Sequence, residues 1–239
     1  MILPIACTAR WSFERTENPK KRYWLGKTEV TQGQWKALME SDASRLRSRV
    51  VRAWTNGLWK ALMGSCDLSN FKGADRPVEM VSWNDAMQFC HKLTERERLA
   101  DRLPDGYVYT LPTEAQWEYA CRAGTTGDYA GDLDAMGWYD QNSGHTTYPV
   151  AQKQANAWGL FDMYGNVSEW CLDWYRNYPG GSVTDPRGPP SSWIHNYRTC
   201  RGGCWGIGIG SCSSAARRYT YSSFPYSDLG FRLALAPTL

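Results

Sequence analysis

The sequence predicts an α+β fold that is largely irregular, and three observations support this fold class. The chain has 239 residues, of which 42% are hydrophobic and 21% are charged, so it can bury a core and is too apolar for general disorder. It contains 13 tryptophans, 14 tyrosines and 22 glycines, more large aromatic anchors than a helical bundle needs. Long stretches with helical periodicity are few. We therefore expect a single domain over residues 1–239, built from short elements joined by loops.

Three helices are predicted from the residues at their N-termini. The capping pairs are Thr31 with Gln34, Ser82 with Asp85, and Thr113 (after Pro112) with Gln116. Apolar residues follow each pair at intervals of three and four, which would place them on the inner face of the helix. They are Trp35, Leu38 and Met39; Ala86, Phe89, Cys90 and Leu93; and Trp117, Ala120 and Cys121.

Short apolar runs predict strands between these helices, at residues 22–26, 78–82 and 108–111. After Gly124 the sequence becomes rich in Gly, Asn and Asp, which predicts loops with short strands. Residues 35–39, Trp-Lys-Ala-Leu-Met, recur at 59–63. Because one repeat does not make a solenoid, we interpret residues from about 40 to 65 as an insertion that contains a local duplication.

Charge and cysteine spacing exclude several functions. The net charge of +3 is too small to indicate nucleic-acid binding. No run of 18 apolar residues is present, so we predict no transmembrane segment. The eight cysteines contain no CxxC pair, which argues against a structural zinc site. Cys90 and Cys121 lie on apolar helix faces, so we expect them to be buried thiols.

Residues 201–234 differ in composition from the rest of the chain. Between Gly206 and Asp228 there is no Lys, Glu, Gln, Met or Trp, although these types total 45 residues and about four would be expected there. The types present are all encoded by codons ending in a pyrimidine, the set reached by changing the two adenines of an asparagine codon. Tyr and Phe supply rigid contact area, and Ser and Gly supply adaptable hydrogen bonds. We interpret the segment as a diversified ligand-binding surface; an ordinary Gly/Ser-rich loop is the alternative.

Six motifs, in order along the chain, carry a family resemblance. They are EVTQGQW at 29–35, RPVEMVSW at 76–83, LPTEAQWEYA at 111–120, GLFDMYGNVSEW at 159–170, RGG at 201–203 and GFR at 230–232. With them the chain resembles the formylglycine-generating-enzyme-like (sulfatase-modifying factor) branch of the C-type lectin fold, from about residue 24 to 235. The resemblance implies a largely irregular α+β domain whose C-terminal segment pairs near its start.

The enzymes of this family bind copper through two cysteines in the final segment and oxidise a substrate cysteine. The resemblance places these cysteines at positions 207 and 212, where this chain has Ile207 and Cys212. Without the second thiolate there is no two-sulfur site for Cu(I) and no thiol redox couple. We therefore predict no catalytic residues and no required cofactor. A copper-dependent, formylglycine-generating-type cysteine oxidase remains the alternative.

The final segment also resembles the variable proteins of diversity-generating retroelements, of the kind found in spirochaetes. These proteins keep Arg-Gly-Gly-x-Trp, Cys-x-Ser-Ala-x-Arg and Leu-Gly-Phe-Arg, here at 201–205, 212–217 and 229–232. Adenine-directed mutagenesis rewrites the positions between these motifs while the scaffold stays constant. The variable, ligand-binding positions would be Gly206, Ile207, Gly208, Ser211, Ala216, Arg218, Tyr219, Tyr221, Ser222, Ser223, Phe224, Tyr226, Ser227 and Asp228.

Each group of these positions has an expected role. The aromatic residues would anchor the ligand, residues 206–208 would form an apolar floor, and Arg218 and Asp228 would add charge selectivity at the rim. For the tyrosines, packing against the sheet is the alternative. We expect the ligand to be a protein or another macromolecule, because the surface is flat and tyrosine-rich.

The resemblance also implies a calcium site and a location. Asp162, Glu169 and the carbonyl groups of Gly165 and Val167 occupy positions similar to a calcium site of the enzymes, and hard oxygen ligands suit Ca²⁺. In the alternative, the two carboxylates hold loop amides. Residues 1–7, MILPIAC, resemble a shortened lipoprotein signal without its positive region. We expect a bacterial cell-surface or extracellular protein, with a lipid anchor at a removed or incomplete N-terminus as one route.

Overall fold

The computed structural model describes residues 13–15, 23–39, 69–178, 180–181, 183–191 and 196–238. Three helices dominate the first half: α1 (Gln32–Met39), α2 (Trp83–Leu99) and α3 (Glu114–Arg122). Two helices of a single turn follow, α4 (Leu133–Met136) and α5 (Asp140–Ser143). No helix in the described ranges is long and apolar enough to cross a membrane.

The capping residues place the starts of the three main helices as predicted. Thr31, Ser82 and Thr113 each accept a hydrogen bond from the amide three residues later, and the side chain there bonds back to the cap. These reciprocal bonds satisfy amides that would otherwise have no partner at a helix start. The apolar faces predicted for the helices are all buried.

The first sheet joins the two ends of the described chain. Its strands are β1 (Phe13–Arg15), β2 (Trp24–Gly26), β3 (Tyr107–Thr110) and β8 (Ala234–Pro237), in the order β1-β2-β8-β3, and every pair is antiparallel. Trp24 pairs with Leu235, and Tyr109 pairs with the same residue from the other side. The C-terminal segment therefore returns to pair near the start of the chain, as the family resemblance implies.

The second sheet carries the segment of interest. It contains β4 (Ser168–Trp174), β5 (Tyr197–Arg201), β6 (Arg218–Tyr221) and β7 (Leu229–Gly230), in the order β6-β5-β4-β7. The β5–β6 and β4–β5 pairs are antiparallel, and β4 and β7 are parallel. A 3₁₀ turn at Ile209–Ser211 lies between β5 and β6. Residues 206–228 therefore run out of one strand, across β6 at the sheet edge, and back to β7.

Two groups of buried apolar residues hold these elements together. One lies between α1, α2 and the strands and includes Trp35, Phe89, Trp170 and Phe231. The other packs around α3 and the loops that follow it, and includes Trp117. Trp35, Phe89 and Phe231 stack or meet edge to face, with ring centroids 5.3–6.1 Å apart. Cys90 and Cys121 are buried free thiols, as predicted.

One predicted strand is wrong, and two predictions fall outside the described residues. Residues 78–82 form no strand; Met80 has φ 59°, a left-handed conformation that breaks an extended strand. The segment runs instead as a connection to the cap of α2. The insertion proposed at about 40–65 and the second copy of the repeat at 59–63 lie outside the described residues. After Gly124 the chain consists mostly of loops and short strands, as predicted, with two additional helical turns.

Candidate binding surface

Most side chains at the predicted variable positions are accessible to solvent. Seven of them are exposed: Gly206, Gly208, Ser211, Tyr219, Tyr221, Ser223 and Phe224. Six are half-buried: Ile207, Ala216, Arg218, Tyr226, Ser227 and Asp228. Ser222 is buried. Its amide donates to the Asn196 carbonyl, and its carbonyl accepts from the Trp83 amide. Ser222 therefore offers little side-chain contact to a ligand.

Main-chain hydrogen bonds fix this segment to the rest of the protein. Four carbonyl groups of the segment accept hydrogen bonds of 2.8–3.2 Å from scaffold amides. The carbonyl and amide residues are Ile207 and Asp140, Ser222 and Trp83, Tyr226 and Met80, and Asp228 and Ser168. Such bonds satisfy buried backbone groups whatever the side chain at that residue. The path of the segment is thus set largely by its backbone, and its exposed side chains can differ without loss of these contacts.

Aromatic rings form a continuous patch, which we call the aromatic face: Tyr175, Tyr197, Tyr219, Tyr221 and Phe224. Tyr197 lies on β5, Tyr219 and Tyr221 lie on β6, and the other two follow β4 and β6. Neighbouring ring centroids lie 4.1 Å apart for Tyr175 and Tyr219, 4.9 Å for Tyr197 and Tyr219, and 4.6 Å for Tyr197 and Tyr221. Phe224 meets Tyr221 edge to face at 5.7 Å. Tyr219, Tyr221 and Phe224 are 47%, 42% and 55% exposed, which favours display over the alternative of packing into the sheet.

Tyr175 and Tyr197 were not among the predicted site residues. Both belong to the fixed scaffold: Tyr197 opposes Tyr221 in the sheet, and the Tyr175 amide bonds to the Tyr197 carbonyl. Only the pairing of three strands brings them beside Tyr219. Tyr197 and Thr199 lie two residues apart and therefore on the same face of β5. This spacing identifies a face only once the strand itself has been recognised in the sequence.

A partly buried ion pair lies beside the aromatic face. Arg217 donates two hydrogen bonds to Glu114 at the start of α3, at 2.6 and 2.7 Å. Its guanidinium also lies 4.7 Å from the Tyr175 ring and 3.9 Å from the Tyr178 ring. A planar cation that bonds a carboxylate at its edge and stacks on rings at its face restricts both partners. Arg217 therefore holds the beginning of β6 and the Tyr175 ring in fixed positions.

The two predicted charged positions neutralise each other. Arg218 bonds to Asp228 at 2.5 Å, and their side chains are 35% and 21% exposed. The Cys204 sulfur lies 3.6 Å from the same Asp228 oxygen. The pair joins the first residue of β6 to the residue that precedes β7. Both side chains keep some exposure, and their contribution to charge selectivity at the rim stays a prediction.

The turn at 206–211 forms a second accessible patch, beside Tyr129 and Asp140. The Tyr129 hydroxyl donates to the Ile209 carbonyl at 2.9 Å, and the Asp140 amide donates to the Ile207 carbonyl. Ile207 packs against the buried group that contains Cys212, consistent with its expected role in an apolar floor. The Trp205 indole joins this turn to the rest of the segment by a bond to the Ser227 carbonyl at 3.2 Å.

Cys212 occupies the position of one expected copper ligand, and its surroundings do not favour a thiolate. Burial raises the pKa of its thiol to about 11. The Cys204 amide bonds to the Cys212 sulfur, so these residues are closer than their sequence separation suggests, but the Cys204 sulfur faces Asp228. Reactive thiols need a low pKa in a positive environment. The site has a hydrophobic side chain, Ile207, where the second thiolate would be.

The residues of the predicted calcium site contact protein groups. Glu169 accepts two bonds of 2.6 Å from Arg232 and one of 2.7 Å from the Trp117 indole. Asp162 accepts from the Ala151 amide at 2.7 Å, which matches the alternative of a carboxylate that holds a loop amide. Burial raises the pKa of Asp162 to about 6.

Within the described ranges, no group of three or more His, Cys, Asp or Glu side chains is arranged to hold a metal. Calcium bound by Asp162, Gly165, Val167 and Glu169 thus stays a prediction. In the described geometry the Glu169 carboxylate bonds to Arg232.

Comparisons with known proteins agree with this geometry. The chain is similar to the solved structure of Treponema denticola variable protein 1, with 29% identity, a TM-score of 0.70, and coverage of 97% of this chain and 94% of that one. It is 28% identical to the chaperone protein LppX of Paenibacillus barcinonensis over 93% of this chain and 82% of that protein. It is 32% identical to the formylglycine-generating enzyme of Bos taurus over 67% of this chain, but only 44% of the bovine protein is covered.

These similarities confirm the expected formylglycine-generating-enzyme-like C-type lectin fold and the resemblance to a variable protein. The model of the family described as the sulfatase-modifying factor enzyme 1-like domain matches residues 12–237. The chain belongs to this family of sulfatase-modifying factor enzyme 1-like proteins.

Proposed function

We propose that this protein is a non-enzymatic binding protein that displays residues 206–228 as a diversified surface. One observation carries the proposal: the main chain of the segment is bonded to the scaffold, while 13 of the 14 predicted variable residues are exposed or half-buried. Such an arrangement separates folding from recognition, because side chains can be exchanged without breaking the bonds that hold the backbone. The similarity to a variable protein over nearly the whole chain supports the same function.

The ligand in this proposal is a macromolecule, and most simply a protein. The aromatic face presents wide rings with few torsions to restrict, and such residues dominate protein interfaces. A cavity lined by residues that include Met87, Val108 and Leu172 lies away from this surface. A broad surface without an enclosed cavity suits a large partner more than a small molecule. The protein would act on the bacterial surface or outside the cell.

The gene itself tests the diversification. Its flanking sequence is expected to contain a non-coding copy of the codons for residues 206–228 that differs only where the copy has adenine. The differences should fall at the accessible positions and avoid the codons for the buried residues Cys212, Ser214 and Thr220. Absence of such a copy, or differences spread evenly over buried and exposed positions, would contradict the proposal.

A copper-dependent cysteine oxidase is the second candidate, because formylglycine-generating enzymes are among the relatives. It predicts stoichiometric Cu(I) binding that is lost in Cys212→Ala. We expect no such binding in the wild type, and we expect the variant Ile207→Cys to gain Cu(I) affinity by completing a pair of thiolates. Stoichiometric binding by the wild type that depends on Cys212 would favour the enzyme.

A further inference from the structure

Strand β6 forms an edge of the second sheet. In the order β6-β5-β4-β7 its inner side pairs with β5, and no described strand pairs with its outer side. A strand edge presents a row of main-chain donors and acceptors to the solvent. Tyr219 and Tyr221, on the same strand, are 47% and 42% exposed, so this strand lies at the surface.

The register shows which groups point outward. The Ser222 amide bonds to the Asn196 carbonyl, so residues 222 and 196 form a hydrogen-bonded pair. In an antiparallel ladder such pairs alternate with pairs that do not bond to each other. Tyr219, opposite Thr199, and Tyr221, opposite Tyr197, are therefore in the second kind of pair. Their main-chain groups face away from β5.

Three of these outward groups are available to a partner. The Tyr221 carbonyl accepts a bond from the Phe224 amide at 3.3 Å. The Tyr219 amide, the Tyr219 carbonyl and the Tyr221 amide have no main-chain partner among the described residues. Residue 219 therefore offers one donor and one acceptor, and residue 221 offers a donor. One additional β-strand could pair with groups at this two-residue spacing.

Strand β6 is short, at four residues, but it lacks the other features that usually protect an edge. Edge strands are commonly blocked by an outward charge, a proline or a bulge. In β6 the only charged residue, Arg218, bonds to Asp228, and its pairing with β5 is regular over Arg218–Tyr221. The strand instead displays two tyrosines beside the outward groups. An aromatic edge without a charge, a proline or a bulge to block it is suited to pairing.

We infer that β6 binds its ligand by strand addition: an extended polypeptide segment pairs with the outer edge of β6 and lays alternate side chains on the aromatic face. This inference rests on the binding function proposed above and specifies the ligand as an extended peptide segment of another protein. Main-chain bonds supply affinity in this mode, and side-chain contacts supply specificity. The backbone bonds do not depend on which residues occupy 219 and 221, so they survive diversification of those residues.

The test uses a display library of random linear peptides, selected against the whole protein. For each peptide that binds, affinity is measured for the wild type, Tyr219→Pro and Tyr219→Val. Proline removes the outward amide of residue 219 and leaves the bonds to β5, while valine keeps the amide and the strand preference. We expect the proline variant to bind about ten-fold more weakly than the valine variant, since one main-chain bond is lost.

A second measurement does not depend on the folding of the proline variant. Each peptide is synthesised with single N-methyl groups along its length. Strand addition predicts loss of binding at every second residue, because only alternate amides face β6.

The outcomes separate the two proposals. Peptides that need the side chains of residues 219 and 221 but show no alternation on N-methylation would overturn strand addition and keep the binding function. Failure to select any peptide would also overturn strand addition. Peptides that ignore every substitution between 206 and 228 would count against the binding function itself.

Discussion

Gly203 and Gly206 lie three residues apart and have opposite surroundings. At Gly203, where φ is 75°, a Cβ atom would lie 2.5 Å from the Cys212 sulfur and 3.0 Å from its Cα. At Gly206 nothing lies within 4 Å. The boundary between fixed scaffold and displayed segment therefore falls between these two residues.

We predict that Gly203→Ala destabilises the fold by about 3 kcal/mol or more, because it combines a strained φ with a steric clash. Gly206→Ala, the matched control, should change the free energy of unfolding by less than about 0.5 kcal/mol. Urea unfolding of both variants measures the difference. Equal effects would show that the Gly203–Cys212 contact is not a fixed part of the scaffold.

Asp173 predicts a pH dependence. Burial raises its pKa to about 6, although its carboxylate accepts the Glu114 amide at 2.8 Å. Between the unfolded pKa and the folded pKa the native state binds the extra proton, so the contribution of Asp173 to stability falls as the pH rises through this window. Asp173→Asn can still accept the amide and has no charge to bury.

We therefore expect Asp173→Asn to gain stability relative to the wild type as the pH rises from about 4 to about 7, by up to about 3 kcal/mol. The difference should be constant above this range. Denaturant unfolding of both proteins across the range gives the measurement. A difference that does not change with pH would mean that Asp173 titrates normally.

Glu169 and Arg232 form a buried ion pair, with side chains 1% and 0% exposed. Glu169→Gln leaves the guanidinium without this counter-charge, and we predict a loss of about 3–5 kcal/mol in the free energy of unfolding. Asp228→Asn, which breaks the more exposed pair with Arg218, should cost less than about 1 kcal/mol. Burial raises the pKa of the Glu29 carboxyl well above its usual range. A small loss of stability in Glu169→Gln would show that Glu29 ionises and replaces Glu169 as the counter-charge of Arg232.

At the scale of elements, the sequence predicted correctly those helices that depend on residues close together in the chain. The capping residues of α1, α2 and α3 act over four residues, so their helices could be predicted with the correct inner faces. The run at 78–82 has the composition of a strand, but its amides bond to Val30 and Tyr226 from distant parts of the chain. Likewise, the role of Tyr175 depends on three strands that meet only in the folded molecule. Non-local pairing of this kind leaves no signal in a short window of sequence.

Strands β6 and β7 should respond differently to substitution. In β6, the double variant with Tyr219→Ser and Tyr221→Ser removes exposed rings, and we predict a loss below about 2 kcal/mol, the value of two aromatic contacts. In β7, Leu229→Ala removes a fully buried side chain and should cost about 2–5 kcal/mol. Thermal unfolding of both variants compares them. A larger loss from the β6 variant would mean that its tyrosines are structural rather than displayed.

At the scale of the whole molecule, recognition and stability occupy different parts of one chain. A library that randomises the seven exposed positions between 206 and 224 should retain a cooperative unfolding transition in most members. A matched library at seven buried positions, such as Leu111 and Phe231, should lose it in most. The fraction of soluble, protease-resistant clones measures both. Similar fractions would argue against a displayed segment.

The position of β8 between β2 and β3 has a consequence for gene expression. The ribosome completes residues 234–237 after the segment proposed to be rewritten, and the first sheet cannot close without them. The pyrimidine-ending codons at the rewritten positions include no stop codon, so substitution there leaves β8 in the product. A frameshift in that segment would instead remove β8, one of the two inner strands of the sheet. Such a chain would expose its core and be degraded, so that only products read through to the last strand would reach a partner.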